Sequence, residues 1–199
     1  MIKVGITGPM GSGKSYCSEL FAKLGVPVFN SDKETKRIQN TNQNLKNELI
    51  SMFGDIYLPD GTMNSILVRK LVFGDTDEQR NNLKVITKMV SPYVGDAFDD
   101  FCNLNSNSPY ILAESAILFE TGFNKRFDSV IYVESDNDSM LQAAIKRDGI
   151  TEDEYKQRMR NQIPADIKKL GSKYIIQNDY TSDIVNQVQM LHLKILSKC

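Results

Sequence analysis

The sequence is short of the residues that make metal frameworks and covalent staples: it has three cysteines, Cys17, Cys102 and Cys199, and one histidine, His192. An odd and widely spaced cysteine set without paired ligand spacing argues against a disulfide framework and a zinc site, and points to a reducing compartment, the cytoplasm. No apolar run is long enough to span a membrane. The N-terminus lacks the charged region and cleavage site of a secretory signal; it opens on a short apolar run and then turns glycine-rich. A surplus of one charge is absent too. Lys and Arg number 24 against 25 Asp and Glu, for a net charge of −1, which removes the basic field of a non-specific nucleic-acid binder. Any anionic ligand must therefore be held locally, and the expected partners are small molecules, with no nucleic acid, no membrane, and a monomer or weak homo-oligomer. What remains is ordinary globular composition: 199 residues, 41% hydrophobic and 25% charged. Such a chain can bury roughly 70% of the surface it exposes unfolded, enough for one compact domain with an inserted lobe.

Short apolar runs of strand type occur at 2–6, 26–29, 110–113, 130–133 and 174–176. Most do not alternate, which points to strands covered on both faces and joined by helices, hence a parallel α/β sheet. Between 29 and 110 the apolar positions take helical spacing: Leu45, Leu49, Ile50, Phe53, then Leu67, Leu71, Val72, then Leu83, Val90, Val94, Phe98. This predicts a helical insertion containing a turn at 54–61, with Thr76 and Gln79 as a capping box for its last long helix. A second excursion at 147–171 has a capping box at Thr151 and Glu154. Its bases, Lys146, Arg147, Lys156, Arg158, Arg160, Lys168 and Lys169, outnumber its acids.

Residues 8–15 read Gly-Pro-Met-Gly-Ser-Gly-Lys-Ser, fitting G-x-x-x-x-G-K-[ST] between an apolar strand and an amphipathic helix. Glycines let the backbone wrap a phosphate so that loop amides and the helix N-terminus face it. The loop residues Pro9, Met10, Gly11, Ser12, Gly13, Lys14, Ser15 and Tyr16 are thus expected to hold ATP, with Lys14 on the β- and γ-phosphates and the Ser15 hydroxyl on Mg²⁺. No Asn-Lys-x-Asp stretch for guanine occurs and the chain is small for a motor, which leaves a small kinase. Asp32, at the C-terminal edge of the second strand, has two readings. It suits a general base that takes a proton from a hydroxyl acceptor, and it equally suits a helix start in which Ser31 and Glu34 form a capping box.

On these residues the sequence resembles the dephospho-coenzyme A kinases, over segments 5–15, 24–32, 60–63, 71–73, 117–120, 147–149, 158–162 and 174–178. The resemblance implies a three-layer P-loop kinase with a five-stranded parallel sheet (core 1–30, 109–145 and 172–199), a helical acceptor-binding insertion at about 31–108 and a short lid at about 146–171. It implies phosphorylation of the ribose 3′-hydroxyl of dephospho-CoA by MgATP, with Asp32 as base, Arg147 as a lid arginine on the ATP phosphates and Asn178 near the adenine. Lys36, Arg37 and Arg80 of the insertion are candidate contacts to the acceptor's phosphates, against a plain reading as solvated helix charges, and Lys36 and Arg80 join Asp32 as acceptor-site candidates. Glu120 is a further one, or a structural acid tying its segment to the insertion, and Glu114 is a candidate to order Mg²⁺ through water. The sequence departs from the family pattern at Asn30 and Ser65, which replace an acid and an arginine, and at Ser91, Ala116 and Ala143. The alternatives are a nucleoside monophosphate or other small-metabolite kinase, or a weakly catalytic nucleotide-binding module.

Overall fold

A computed structural model describes residues 1–74, 76–179 and 182–199. The order of elements is β1 (Ile2–Thr7), α1 (Lys14–Lys23), β2 (Val28–Asn30), α2 (Ser31–Thr41), α3 (Gln43–Phe53), α4 (Ser65–Val72), α5 (Asp77–Leu104), β3 (Tyr110–Glu114), β4 (Ser129–Glu134), α6 (Asn137–Asp148), α7 (Glu152–Arg160), α8 (Ala165–Leu170), β5 (Tyr174–Gln177) and α9 (Ile184–Leu196). The chain divides into two compact units, one of Met1–Asn30 with Phe101–Cys199 and the other of Ser31–Asp100.

The first unit is a five-stranded parallel sheet in the order β2-β3-β1-β4-β5. Because all strands run one way, the segments leaving β1, β2, β3 and β4 gather at one edge, where open α/β sheets bind ligands. Val4 and Ile6 of the central strand are fully buried. They pack with Cys17 and Phe21 of α1 and with Val188, Leu191 and Ile195 of α9. On the other face Gly5 leaves space for Leu118 and Phe127, whose atoms lie 3.0 and 3.1 Å from where a Cβ would stand. Each large apolar side chain enclosed this way contributes about 1.5–3 kcal/mol.

Two strands differ from the sequence expectation. The run at 26–29 becomes strand only from Val28, because the Val26 amide is taken by the Phe21 carbonyl and Pro27 has no N–H to give. In β5 burial alternates, with Tyr174 and Ile176 inward and Ile175 exposed. It is an edge strand with α9 on one side, so it is not covered on both faces.

The second unit closes its own core on Ile38, Leu45, Leu49, Ile56, Val72, Ile86 and Val90. Ile50, counted with the apolar face of α3 by its spacing, is exposed. Side chains start two of its helices: Asn42 accepts from the Leu45 amide at the head of α3 and Asn64 from the Leu67 amide at the head of α4. Thr76 and Gln79 cap reciprocally at 3.2 and 3.3 Å. The turn at 54–61 is held by the Gly61 amide on the Leu58 carbonyl and by Lys46 Nζ on the Gly61 carbonyl.

All three cysteines are free; Cys17 and Cys102 are buried and Cys199 is exposed. Burial, helped by the Glu114 charge, pushes the Cys17 thiol up to about 12, and the thiolate is the reactive form. Titration of the native chain with a thiol reagent is therefore expected to give one fast equivalent, from Cys199, and the other two only after unfolding. The single histidine, His192, lies 2.7 Å from the Tyr110 hydroxyl through Nδ1. Tyr110 begins β3, so this pair stands at the sheet edge opposite the loops.

Candidate active site

The loop after β1 enters α1 through Gly13, which has φ 86 and ψ 12. Gly11, at φ 87, sits so close to α6 that a Cβ there would lie 2.1 Å from the Met140 carbonyl oxygen. A Cβ on Gly13 would lie 2.3 Å from Asn178 Nδ2. Both the positive φ and the space therefore require glycine. The loop is braced from within by the Ser12 amide on the Pro9 carbonyl at 3.2 Å. From beneath, Asn178 Nδ2 donates to the Ser12 carbonyl at 2.8 Å while its own amide donates to the Glu134 carbonyl. The Tyr155 hydroxyl donates to the Met10 carbonyl at 3.4 Å. The first amides of α1 have no acceptor inside the helix, which makes its N-terminus an anion site.

Lys14 is buried at 5% exposure, and no ion pair with a carboxylate among the described residues engages it. A buried ammonium without a counter-ion is costly, so its position fits an anion in the loop. Ser12 Oγ and Thr7 Oγ1 are buried without a hydrogen-bond partner among the described residues, two more polar atoms waiting at the same loop. Tyr16, on the first turn of α1, is 46% exposed.

Next to Lys14, Ser15 Oγ donates to Glu114 Oε1 at 2.5 Å, and Asn30 Nδ2 donates to Glu114 Oε2 at 2.9 Å. Glu114 is the last residue of β3 and is 3% exposed. The Ser15 proton is thus committed to the carboxylate, which leaves the lone pairs of Ser15 Oγ for a cation. A hydroxyl so oriented beside a carboxylate is the oxygen donor set that Mg²⁺ favours.

Glu120 was expected to tie its segment to the insertion; the contacts of its Oε1 run elsewhere in the first unit. Its Oε1 accepts from the Ile163 amide at 2.9 Å and pairs with Lys168 Nζ at 2.6 Å, so the tie runs to α8 and the turn before it. Lys168, 1% exposed, also reaches the Ala116 carbonyl and Gln162 Oε1. Burial holds its ammonium below the usual pKa against the pull of Glu120, and the Lys14 charge acts in the same direction as burial. Losing one partner of a pair this enclosed costs about 3–5 kcal/mol. The sequence reading counted Lys168 only among the basic residues of its excursion. Its link to Glu120 spans 48 positions in the chain, and no local spacing announces it.

The excursion itself folds as the end of α6 followed by α7 and α8. The Thr151 and Glu154 capping box is formed, and Met140, Ala144, Ile150 and Tyr155 close a small core against Met10. Arg147, next to last in α6, makes a bidentate pair with Asp148, both bonds 2.8 Å, with its side chain 55% exposed. Such an exposed pair contributes about 0–1 kcal/mol.

Asp32, Lys36 and Arg80 belong to the second unit. Asp32 is exposed in the first turn of α2, and Lys36 follows at i+4, which puts both on one face. Arg80 pairs with Asp77 at 2.7 Å. The capping box expected of Ser31 and Glu34 does not form. Helix α2 starts at Ser31 directly from β2, the Ser31 hydroxyl is buried without a partner among the described residues, and Glu34 is taken by Arg37 at 2.6 Å.

Comparison with known proteins identifies relatives over nearly the whole chain. The family model for dephospho-CoA kinase matches residues 2–183. A dephospho-CoA kinase of Porphyromonas gingivalis is 32% identical over 193 residues, covering 94% of this chain and 91% of that one. One from Bacteroides fragilis is 29% identical over 187 residues, covering 94% and 89%. A crystal structure from Thermus thermophilus superimposes with a TM-score of 0.80 at 25% identity, over 99% of this chain and 97% of that one. The dephospho-CoA kinase of Campylobacter jejuni shares the fold with a TM-score of 0.61 at 17% identity, over 97% and 96%. With a matching model over nearly its whole length and the strand-loop-helix of a phosphate site in place, the chain belongs to the dephospho-CoA kinase family.

Proposed function

We propose that the chain transfers the γ-phosphoryl group of ATP to the ribose 3′-hydroxyl of dephospho-CoA, giving ADP and coenzyme A, with Lys14, Asp32 and Arg147 as its catalytic residues. The observation that carries the reading is the glycine loop around buried, uncompensated Lys14, in a chain whose family is the dephospho-CoA kinases. The loop amides of residues 9–16 hold the phosphates and Lys14 reaches the β- and γ-oxygens. Asn178, fixed beneath the loop, borders the adenine. Ser15 holds Mg²⁺, with Glu114 behind it; bound there, the ion supplies charge neutralisation to the β- and γ-phosphate oxygens.

Asp32 accepts the proton of the 3′-hydroxyl as that oxygen forms its bond to the γ-phosphorus. The bond from the γ-phosphorus to the bridging oxygen breaks, and ADP leaves. Lys36, on the Asp32 face of α2, and Arg80 supply positive charge to the acceptor's phosphates. Glu120 has only its Oε2 left for a substrate donor, since Oε1 is engaged. Three free thiols and near-neutral net charge suit a cytoplasmic enzyme of small molecules, a monomer or weak homo-oligomer without nucleic-acid or membrane partners. Among the described residues no helix is long and apolar enough to cross a membrane.

A coupled ADP-release assay with dephospho-CoA, nucleoside monophosphates and adenosine as acceptors tests the reading. Turnover with dephospho-CoA well above the others is the expected result; a nucleoside monophosphate as the best acceptor would overturn it. Arg147→Ala tests the lid. Freed from Asp148, the arginine acts on ATP phosphates, so the variant is expected to lose turnover with little change in the KM for dephospho-CoA. A change confined to that KM would place Arg147 on the acceptor side.

A further inference from the structure

We propose that Asn30 is a positioning residue for the cation site. By donating to Glu114 Oε2, its amide fixes the carboxylate so that Oε1 takes the Ser15 proton and the Ser15 lone pairs face the divalent ion. The inference rests on the reading of Ser15 as the Mg²⁺ ligand.

The geometry is a relay of three side chains brought together from distant positions. Asn30 and Glu114 are register partners on the adjacent parallel strands β2 and β3, so their side chains leave the sheet on the same side. Ser15 comes from the first turn of α1, 99 residues from Glu114. An ionised carboxylate only accepts, and here both of its oxygens are engaged, one by a hydroxyl and one by an amide. The terminal torsion of a glutamate is intrinsically broad. One hydrogen bond leaves the carboxylate able to rotate about its own axis; two, at opposite oxygens, lock it.

The lock matters for Ser15. If the carboxylate turns, Oε1 leaves the serine hydroxyl, and the proton is free to point where the cation needs a lone pair. Asn30 is suited to the task because an amide donates and adds no charge. A carboxylate at the same point would bring a second acceptor to an atom that needs a donor. Partners that orient a ligand from behind in this way typically change metal affinity 10- to 100-fold when removed.

Asn30→Ala and Asn30→Leu in the full chain remove the donor while making the residue smaller or keeping its bulk. Asn30 is half-buried on an edge strand, so the sheet tolerates both. Thermal unfolding is measured without ligand, with ADP, and with ADP and increasing MgCl₂, and the Mg²⁺ concentration for half of the Mg²⁺-specific rise is read. In both variants that concentration is expected to increase about tenfold or more, while the melting temperatures without ligand and with ADP alone stay near those of the unaltered chain. A purely structural asparagine predicts the reverse: a lower melting temperature without ligand and a Mg²⁺ half-point within about twofold of the unaltered value. That pattern in either variant overturns the assignment of Asn30. Absence of any Mg²⁺-specific rise in the unaltered chain is a different failure, since it removes Ser15 as a metal ligand and the role of Asn30 with it.

Discussion

Lys14→Ala is expected to lower turnover about a hundredfold or more and to weaken ATP binding while leaving the fold intact. The size is that of removing a fixed electrostatic stabiliser from a water-poor site. Lys14 is 5% exposed, so its ammonium acts on the phosphates with little solvent between them. The fold survives because the loop does not depend on the side chain. Gly11 and Gly13 set its path, Asn178 and Pro9 brace its backbone, and Ser18 Oγ bonds the Lys14 carbonyl, which alanine retains. Removing the ammonium also relieves Lys168, the other buried cation nearby, of a like charge. The melting temperature without nucleotide should therefore hold or rise, whereas the rise produced by ATP should shrink. Turnover near that of the unaltered chain would remove the phosphate-loop argument altogether.

Local spacing carried much of the fold. The glycine pattern at 8–15 placed the loop, and the continuous apolar runs placed β1, β3 and β4, because a strand buried on both faces needs apolar residues at every position. The capping boxes at Thr76 and Thr151 formed because each is complete within four residues. The Ser31 and Glu34 pair had the same local signature and failed, since Arg37 offers Glu34 an ion pair one helical turn away and Ser31 is the first helical residue of α2, one place past the cap position. Contacts between distant positions were out of reach. Glu114 stood out as an acid at a strand end, but nothing in spacing joined it to Ser15 or to Asn30. Glu120 stood out too, and its partner Lys168 was hidden among the other bases. What joins Asn30, Glu114 and Ser15 is strand order, with β3 seated between β2 and β1, and strand order is a property of the assembled sheet.

Asp32→Asn is expected to lower turnover about 10²- to 10⁴-fold with ATP binding nearly unchanged, the loss associated with removing a general base while keeping its shape. The rival account treats Asp32 as an acid in the first turn of α2, favoured there by the helix dipole. On that account asparagine, which also suits helix starts, costs no more than about 1 kcal/mol of stability and leaves the chemistry alone. The failure of the Ser31 and Glu34 box removes one structural use for this helix start, and Asp32 itself is exposed, open to solvent and to substrate. In the chain it follows Asn30, the last residue of β2, by two positions. Thermal unfolding, an ATP titration and dephospho-CoA-dependent ADP formation on the one variant separate the two accounts. A base gives an unchanged melting curve, unchanged ATP affinity and a collapse in rate; a helix-start acid gives a small loss of stability and a normal rate. More than half of the unaltered turnover in Asp32→Asn would sink the mechanism, because no other group in it takes the proton from the 3′-hydroxyl.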